Sequence, residues 1–196
     1  MQHIDFSEKI KKLRINNVTD EFIQPVTSLA NRVALSHLSE KERKWGFLVP
    51  YTESQYKSFT RDAEHFYVLC LENRPIGFVL AHSNDKIGLF GGEVYLHLKN
   101  LQRLPFLVVR QICIDPEFSH KGYGRKLYEF LINRAAEDPA NYRTMVCFIW
   151  KSPYHNQSSE KFHRTIGWKE LKTYILKNRS GAVGIWGLAI DRPNSG

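Results

Sequence analysis

Gly122 and Gly124 stand one residue apart, among His120, Lys121, Arg125 and Lys126. They open a stretch in which Leu127, Phe130, Leu131 and Ala135 recur at helical spacing. A glycine turn at a helix N-terminus presents several N–H groups without intrahelical partners, together with the positive end of the helix dipole. Ringed by cations, such a turn has the makings of a phosphate site. A Gly-x-Gly turn also serves for tight turning and close packing alone, and its residues leave both readings open. Two other phosphate patterns are missing. Leu127 stands where GxGxxG needs its third glycine, and no GxxxxGK[ST] occurs, which argues against a nucleotide-hydrolysing loop.

The turn needs a support, and residues 106–114 supply one. Alternation puts Phe106, Val108, Arg110, Ile112 and Ile114 on one side, with Leu107, Val109, Gln111 and Cys113 on the other. Both sides are mostly apolar, so the run reads as an interior strand. Asp115 and Pro116 end it, because proline cannot continue a ladder.

In these residues the chain resembles the GNAT superfamily of acyl-CoA-dependent N-acetyltransferases. That family joins a strand ending in Val/Ile-Asp-Pro to [Gln/Arg]-x-x-Gly-x-[Gly/Ala] and a helix. Here Ile114, Asp115 and Pro116 are followed by Ser119, Gly122 and Gly124. Ser119 departs from the usual Gln or Arg. Downstream, Asn156, Ser159, Phe162, His163, Gly167 and Trp168 follow the spacing of the family's Asn-x-x-Ala-x-x-Leu/Phe-Tyr-x-x-x-Gly-Phe. His163 occupies the position where many members carry the tyrosine that returns a proton to the CoA thiolate. The sharp motifs span 106–168, and the order of elements extends the resemblance over roughly 8–190.

The resemblance implies acetyl-CoA as co-substrate and an amine acceptor, in a small molecule or a protein. Pantetheine would lie along Ile112, Cys113 and Ile114, with a backbone N–H near Ile112 polarising the thioester. Pyrophosphate would sit in the loop Ser119, His120, Lys121, Gly122, Tyr123, Gly124 and Arg125. Phe162 and Asn156 would border the cofactor, although Asn156 also suits a helix N-cap. His163 shares a helix face with Ser159, Phe162 and Ile166 and should point into the cleft. It is a candidate general acid, or it fills the tyrosine slot and hydrogen-bonds backbone. Tyr154 and Tyr123 are the fallback donors. Glu72, His82 and Glu93 are the ionisable residues that the topology brings near the cleft, and none stands out as general base. A non-catalytic acyl-CoA-binding module on the same fold is the alternative, followed by a phosphate-binding protein of another family.

The whole chain sets bounds. With 196 residues, 42% hydrophobic and 24% charged, it reads as one soluble domain, 1–196. No apolar run approaches the ~18 residues that span a bilayer, and the N-terminus lacks a secretion-type apolar core. Cys70, Cys113 and Cys147 all fall in expected strands without metal-ligand spacing. They read as buried thiols of a cytoplasmic protein, with no metal. The net charge of +8 is scattered, without basic runs or an aromatic-basic RNA signature, so no nucleic-acid partner is expected. Pairing of terminal strands between chains makes a homodimer an open expectation.

Periodicity places strands at 11–18, 65–72, 76–83, 106–114, 144–150, 169–177 and 182–190. Helices are expected at 20–37, from Thr52, at 120–137 and from Asn156. The aromatic segment 38–51 and the glycine-bearing 84–105, with a possible short strand at 93–98, read as loops that help choose the acceptor. The tail 192–196 reads as loose. The result is an α/β (α+β) fold, a mixed central sheet of six to seven strands flanked by about four helices, which is also the GNAT architecture.

Overall fold

The computed structural model describes residues 12–86, 98, 105–176 and 181–190. Its elements run β1 (Leu13–Asn17), α1 (Asp20–Arg32), α2 (Glu40–Arg43), α3 (Glu53–Asp62), β2 (His65–Leu71), β3 (Arg74–Ser83) and β4 (Phe106–Ile114). After a 3-10 turn at Pro116–Phe118 come α4 (Tyr123–Glu137), β5 (Thr144–Ser152), α5 (Gln157–Thr165), β6 (Lys169–Leu176) and β7 (Gly181–Ala189). Of the expected strand at 93–98 only Leu98 is described, and it is helical; Glu93, the turn glycines Gly88, Gly91 and Gly92, and the tail lie outside the described residues.

The seven strands form one mixed sheet in the order β1-β2-β3-β4-β5-β7-β6. Every pair is antiparallel except β4 with β5. Interior strands carry apolar side chains on both faces, and each face is covered. On one face α4 buries Leu127, Tyr128, Leu131 and Ala135 against Tyr67, Val79 and Met145. On the other, α1 and α3 bury Val26, Leu29, Tyr56 and Phe59 against Val68, Phe78 and Leu80. No described helix is long and apolar enough to cross a membrane.

Local chemistry explains the helix ends. At α3, Thr52 accepts from the Gln55 N–H while the Gln55 side chain accepts from the Thr52 N–H, a reciprocal cap. Asp20 and Glu21 face the dipole in the first turn of α1, which continues through Pro25. The helix stops at Arg32 rather than 37, because Leu48 captures the chain that follows. Leu48 N–H donates to the Val33 carbonyl and Leu35 N–H to that of Leu48, both at 2.9 Å. Segment 38–51, expected to be irregular, contains the short α2, capped by Ser39 and Glu42.

β4 departs from simple alternation. Leu80 pairs with Gln111 and Ala81 with Val109, leaving Arg110 as an extra residue in a bulge. A bulge shifts the period of two by one residue. Leu107 and Val109 therefore share a face with Ile112 and Ile114, while Cys113 faces α1. The single alternation expected over 106–114 is corrected on that point. Beyond the bulge β4 also loses a neighbour. Its parallel pairing with β5 covers only Phe106–Val109 against Thr144–Cys147. β5 continues along β7 as far as Ser152, and a cleft opens between β4 and β5.

Candidate active site

The cleft has a volume of about 560 Å³, within the roughly 300–1,000 Å³ usual for small-ligand sites. Val109–Ile114 line one side and Cys147, Phe148 and Trp150 the other. Ile112, Cys113 and Ile114 pair with β3 on one edge only. Their other edge faces the cleft, where an extended amide chain could add on as a strand would.

The mouth is the glycine turn. The first intrahelical bond of α4 runs from the Lys126 N–H to the Gly122 carbonyl. The N–H groups of Gly122, Tyr123, Gly124 and Arg125 therefore have no intrahelical partner. Gly122 adopts φ 79° and His120 φ 60°, so the chain reverses through two left-handed residues, and glycine carries the larger angle without strain. Gly124 contributes in a different way. A Cβ there would stand 3.0 Å from the Phe162 ring, which leans over it from α5. The turn is thus both an amide cradle and a packing contact, the two readings its residues left open.

Other loop residues divide by direction. Arg125 lines the cleft and donates to the Thr165 carbonyl at 3.2 Å, tying α4 to the last turn of α5. Ser119 lines it too, but its hydroxyl donates to the Pro116 carbonyl at 2.7 Å. His120 faces the edge of Trp45 across the opening, 6.2 Å between ring centres. Lys121 turns away, donating to the Glu117 carbonyl at 3.1 Å with its ammonium over Phe118. Of the expected loop residues, Lys121 does not line the cleft.

Asn156 accepts from the Ser159 N–H at 3.2 Å, as an N-cap does, and its Nδ2 donates to the Phe47 carbonyl at 2.9 Å. Each end of its amide makes one of these bonds, and the residue also lines the cleft. The second was not legible locally, since the partner lies 109 residues away, and it pins the Trp45–Val49 loop along the cleft.

His163 is on the expected helix face but is 2% exposed. Nδ1 lies 2.7 Å from the Ser159 carbonyl, which can only accept, so Nδ1 carries the proton. Nε2 then accepts from the Tyr128 hydroxyl at 2.8 Å. Burial holds its pKa down at about 4. Tyr128 and its bond to His163 were missed by sequence reasoning, although Tyr128 sits one helical turn after Gly124. Tyr154 points out of the cleft, 44% exposed, with the Arg43 guanidinium 4.4 Å over its ring. As a fallback donor it is misplaced, while Tyr123 lines the cleft.

Among the bases considered, Glu72 lies in the β2–β3 turn at φ 58°, away from the cleft, and His82 is buried behind Arg110. Burial pushes the Cys113 thiol up to about 12 and the Cys147 thiol well above its ordinary value. Neither is a ready nucleophile at neutral pH. Gln111 was also missed. It accepts from the Tyr56 hydroxyl at 2.7 Å and donates to the Val49 carbonyl at 2.8 Å, fixing the loop to β4.

Comparison with known proteins agrees with this geometry. A family profile described as "Acetyltransferase (GNAT) family" matches residues 32–168. An uncharacterized N-acetyltransferase of Methanocaldococcus jannaschii is 23% identical over 163 residues, 82% of this chain and 62% of the relative. The match therefore spans less than two thirds of that relative's length. Among solved structures, the ribosomal-protein-S18-alanine N-acetyltransferase of Escherichia coli superposes with a TM-score of 0.63 at 15% identity, over 94% of this chain and 97% of that one. The yncA protein of Salmonella typhimurium, solved with its cofactor acetyl-CoA, gives 0.61 at 16% identity, over 93% and 96%. Naa50 of Arabidopsis thaliana, in complex with the bisubstrate analogue CoA-Ac-MVNAL, gives 0.60 at 12% identity, over 90% and 97%. At these identities the structural likeness is one of fold.

Proposed function

The chain belongs to the GNAT family of acetyltransferases, and from that premise we propose that it transfers an acetyl group from acetyl-CoA to a primary amine by direct attack. The observation that carries this reading is the parting of β4 and β5 after Val109 and Cys147, with the N-terminus of α4 at the mouth. One-sided β4 offers backbone partners to a pantetheine arm, and the amides from Gly122 to Arg125 offer donors to pyrophosphate. Arg125 adds positive charge beside them.

The chain's own residues chiefly hold and orient. A backbone N–H near Ile112 is suited to polarising the thioester carbonyl, where fixed donors contribute most. A thiolate whose acid has a pKa of about 8.5 leaves without a strong acid. His163 is therefore a positioning residue. Its one proton is committed to Ser159, its lone pair to Tyr128, and together they clamp α5 on α4 under Phe162. Among the described residues that line the cleft there is no carboxylate to act as general base.

Calorimetric titration with acetyl-CoA, with free CoA alongside, is the first test. Saturable one-to-one binding is expected, weakened at least tenfold in Gly124→Glu, where a carboxylate meets the pyrophosphate and the Cβ crowds Phe162. No binding at millimolar ligand, or unchanged binding by the variant, would sink the assignment of the loop. Release of CoA thiol with added amines then separates an enzyme from a binding module.

A further inference from the structure

The cleft has a third wall besides β4 and β5. Residues Trp45 to Val49 run along it as a strap, fastened from both sides. Gln111 Nε2 on β4 donates to the Val49 carbonyl at 2.8 Å, and Asn156 Nδ2 at the start of α5 donates to the Phe47 carbonyl at 2.9 Å. Both amides are buried and each is oriented by a second bond. Gln111 Oε1 accepts from the Tyr56 hydroxyl and Asn156 Oδ1 from the Ser159 N–H. Leu48 joins the strap to the end of α1 through Val33 and Leu35. At its start the Trp45 N–H donates to the Glu42 carbonyl at 2.9 Å, and Gly46 turns the chain at φ 104°, an angle that favours glycine.

The direction of the strap follows from its two ends. Val49 is bonded to Gln111, and Trp45 stands opposite His120 of the glycine turn, with 6.2 Å between ring centres. The strap therefore retraces the path from Gln111 to His120, beside the free edge of Ile112, Cys113 and Ile114. Trp45 comes to rest at the mouth. The Lys44 ammonium lies 4.9 Å over its ring, and the residue is nevertheless 66% exposed. Tryptophan is on average a well-buried residue. Here a large apolar ring is left open at the cleft on a backbone already fixed from both walls, so little further order is lost when a ligand covers it.

A pantetheine arm is unevenly polar. Its end next to the pyrophosphate carries a quaternary carbon with two methyl groups, and two amides follow toward the sulfur. With pyrophosphate on the amides from Gly122 to Arg125, the dimethyl carbon falls at the mouth and the amides fall along the free edge of β4. Resting on the acetyl-CoA reading, we propose that Trp45 is a cofactor-binding residue whose indole packs on the dimethyl end of the arm, and that Gln111 is a positioning residue that holds the strap in place for it.

The test is calorimetry on the full chain, beginning with acetyl-CoA and the unaltered protein. Trp45→Ala removes an exposed side chain, and melting curves should show the fold intact. It should weaken acetyl-CoA about tenfold or more. The second ligand is an acetyl-CoA analogue in which both methyls of the quaternary carbon are replaced by hydrogen. It should bind the unaltered protein less well than acetyl-CoA, and Trp45→Ala should weaken it distinctly less than it weakens acetyl-CoA, because ring and methyls then form one contact. Gln111→Met supplies the positioning arm. It should lower acetyl-CoA affinity when Trp45 is present and have little effect in the Trp45→Ala background, a coupling that a purely structural role would not produce. Unchanged affinity in Trp45→Ala, or equal losses for the two ligands, would overturn the contact. Equal losses from Gln111→Met in both backgrounds would overturn the positioning role. The comparison of ligands on Trp45→Ala stands even if Gln111→Met fails to fold. Failure of the unaltered protein to bind acetyl-CoA would instead overturn the reading beneath.

Discussion

At the scale of single residues, a histidine in the place of the family's tyrosine need not do the tyrosine's work. His163 is buried, neutral and bonded at both nitrogens, to the Ser159 carbonyl and the Tyr128 hydroxyl. Tyr128→Phe removes the donor and leaves Nε2 buried without a partner, a loss of about 1–3 kcal/mol. Urea unfolding at pH 7.5 measures it. If His163 positions rather than protonates, His163→Gln should keep a pH–rate profile of unchanged shape, because an amide can donate to Ser159 and accept from Tyr128 but cannot titrate. A profile that loses a limb in His163→Gln would restore the acid role.

At the scale of elements, the turn that carries the site is fastened by one buried carboxylate. Asp115 is fully buried, accepts from Arg32 on α1 at 2.8 Å and Arg74 on β3 at 3.2 Å, and caps the Pro116–Phe118 turn through the Glu117 N–H. Both arginines are about half exposed. The two ways of breaking the cluster therefore differ. Asp115→Asn keeps the shape and returns the arginines to water, costing roughly 1–3 kcal/mol. Arg32→Ala with Arg74→Ala leaves a carboxylate buried without counter-charge, costing about 3–5 kcal/mol. Equal losses by denaturant titration would contradict this placement of Asp115. Sequence showed Asp115 and Pro116 only as a strand stop, since its partners lie 83 and 41 residues away. What was legible was local. The glycine turn, the Asn156 cap and the apolar strands each declare themselves within a few residues. The bulge at Arg110 was not, because alternation assumes an unbroken ladder, although the polar Arg110 and Gln111 inside an apolar run were its trace.

At the scale of the whole molecule, the two faces of the sheet share one weakness. His163 lies under α4 and α5 on one face, and His82 packs edge-on against Phe59 of α3 on the other. Burial holds each at about 4, with the Arg110 charge adding to the effect at His82. Unfolded, each would titrate near 6.5. Above that value both states are neutral and the full stability is present. Between pH 6.5 and 4 the unfolded chain binds the protons more readily, so stability falls as pH falls. The two shifts together represent on the order of 7 kcal/mol, comparable with the whole stability of a typical domain. The urea midpoint should hold level from pH 8 to 7 and fall steeply below 6. Replacing both histidines by Gln should flatten that fall, whatever it does to stability at pH 8. An unflattened fall would assign the acid sensitivity to the carboxylates instead, chiefly Glu160, whose bonds to Arg164, His155 and Lys151 hold its pKa near 2 despite burial. Its loss would come below pH 4.5, as the folded carboxylate is protonated, and the pH at which unfolding steepens therefore distinguishes the two sources.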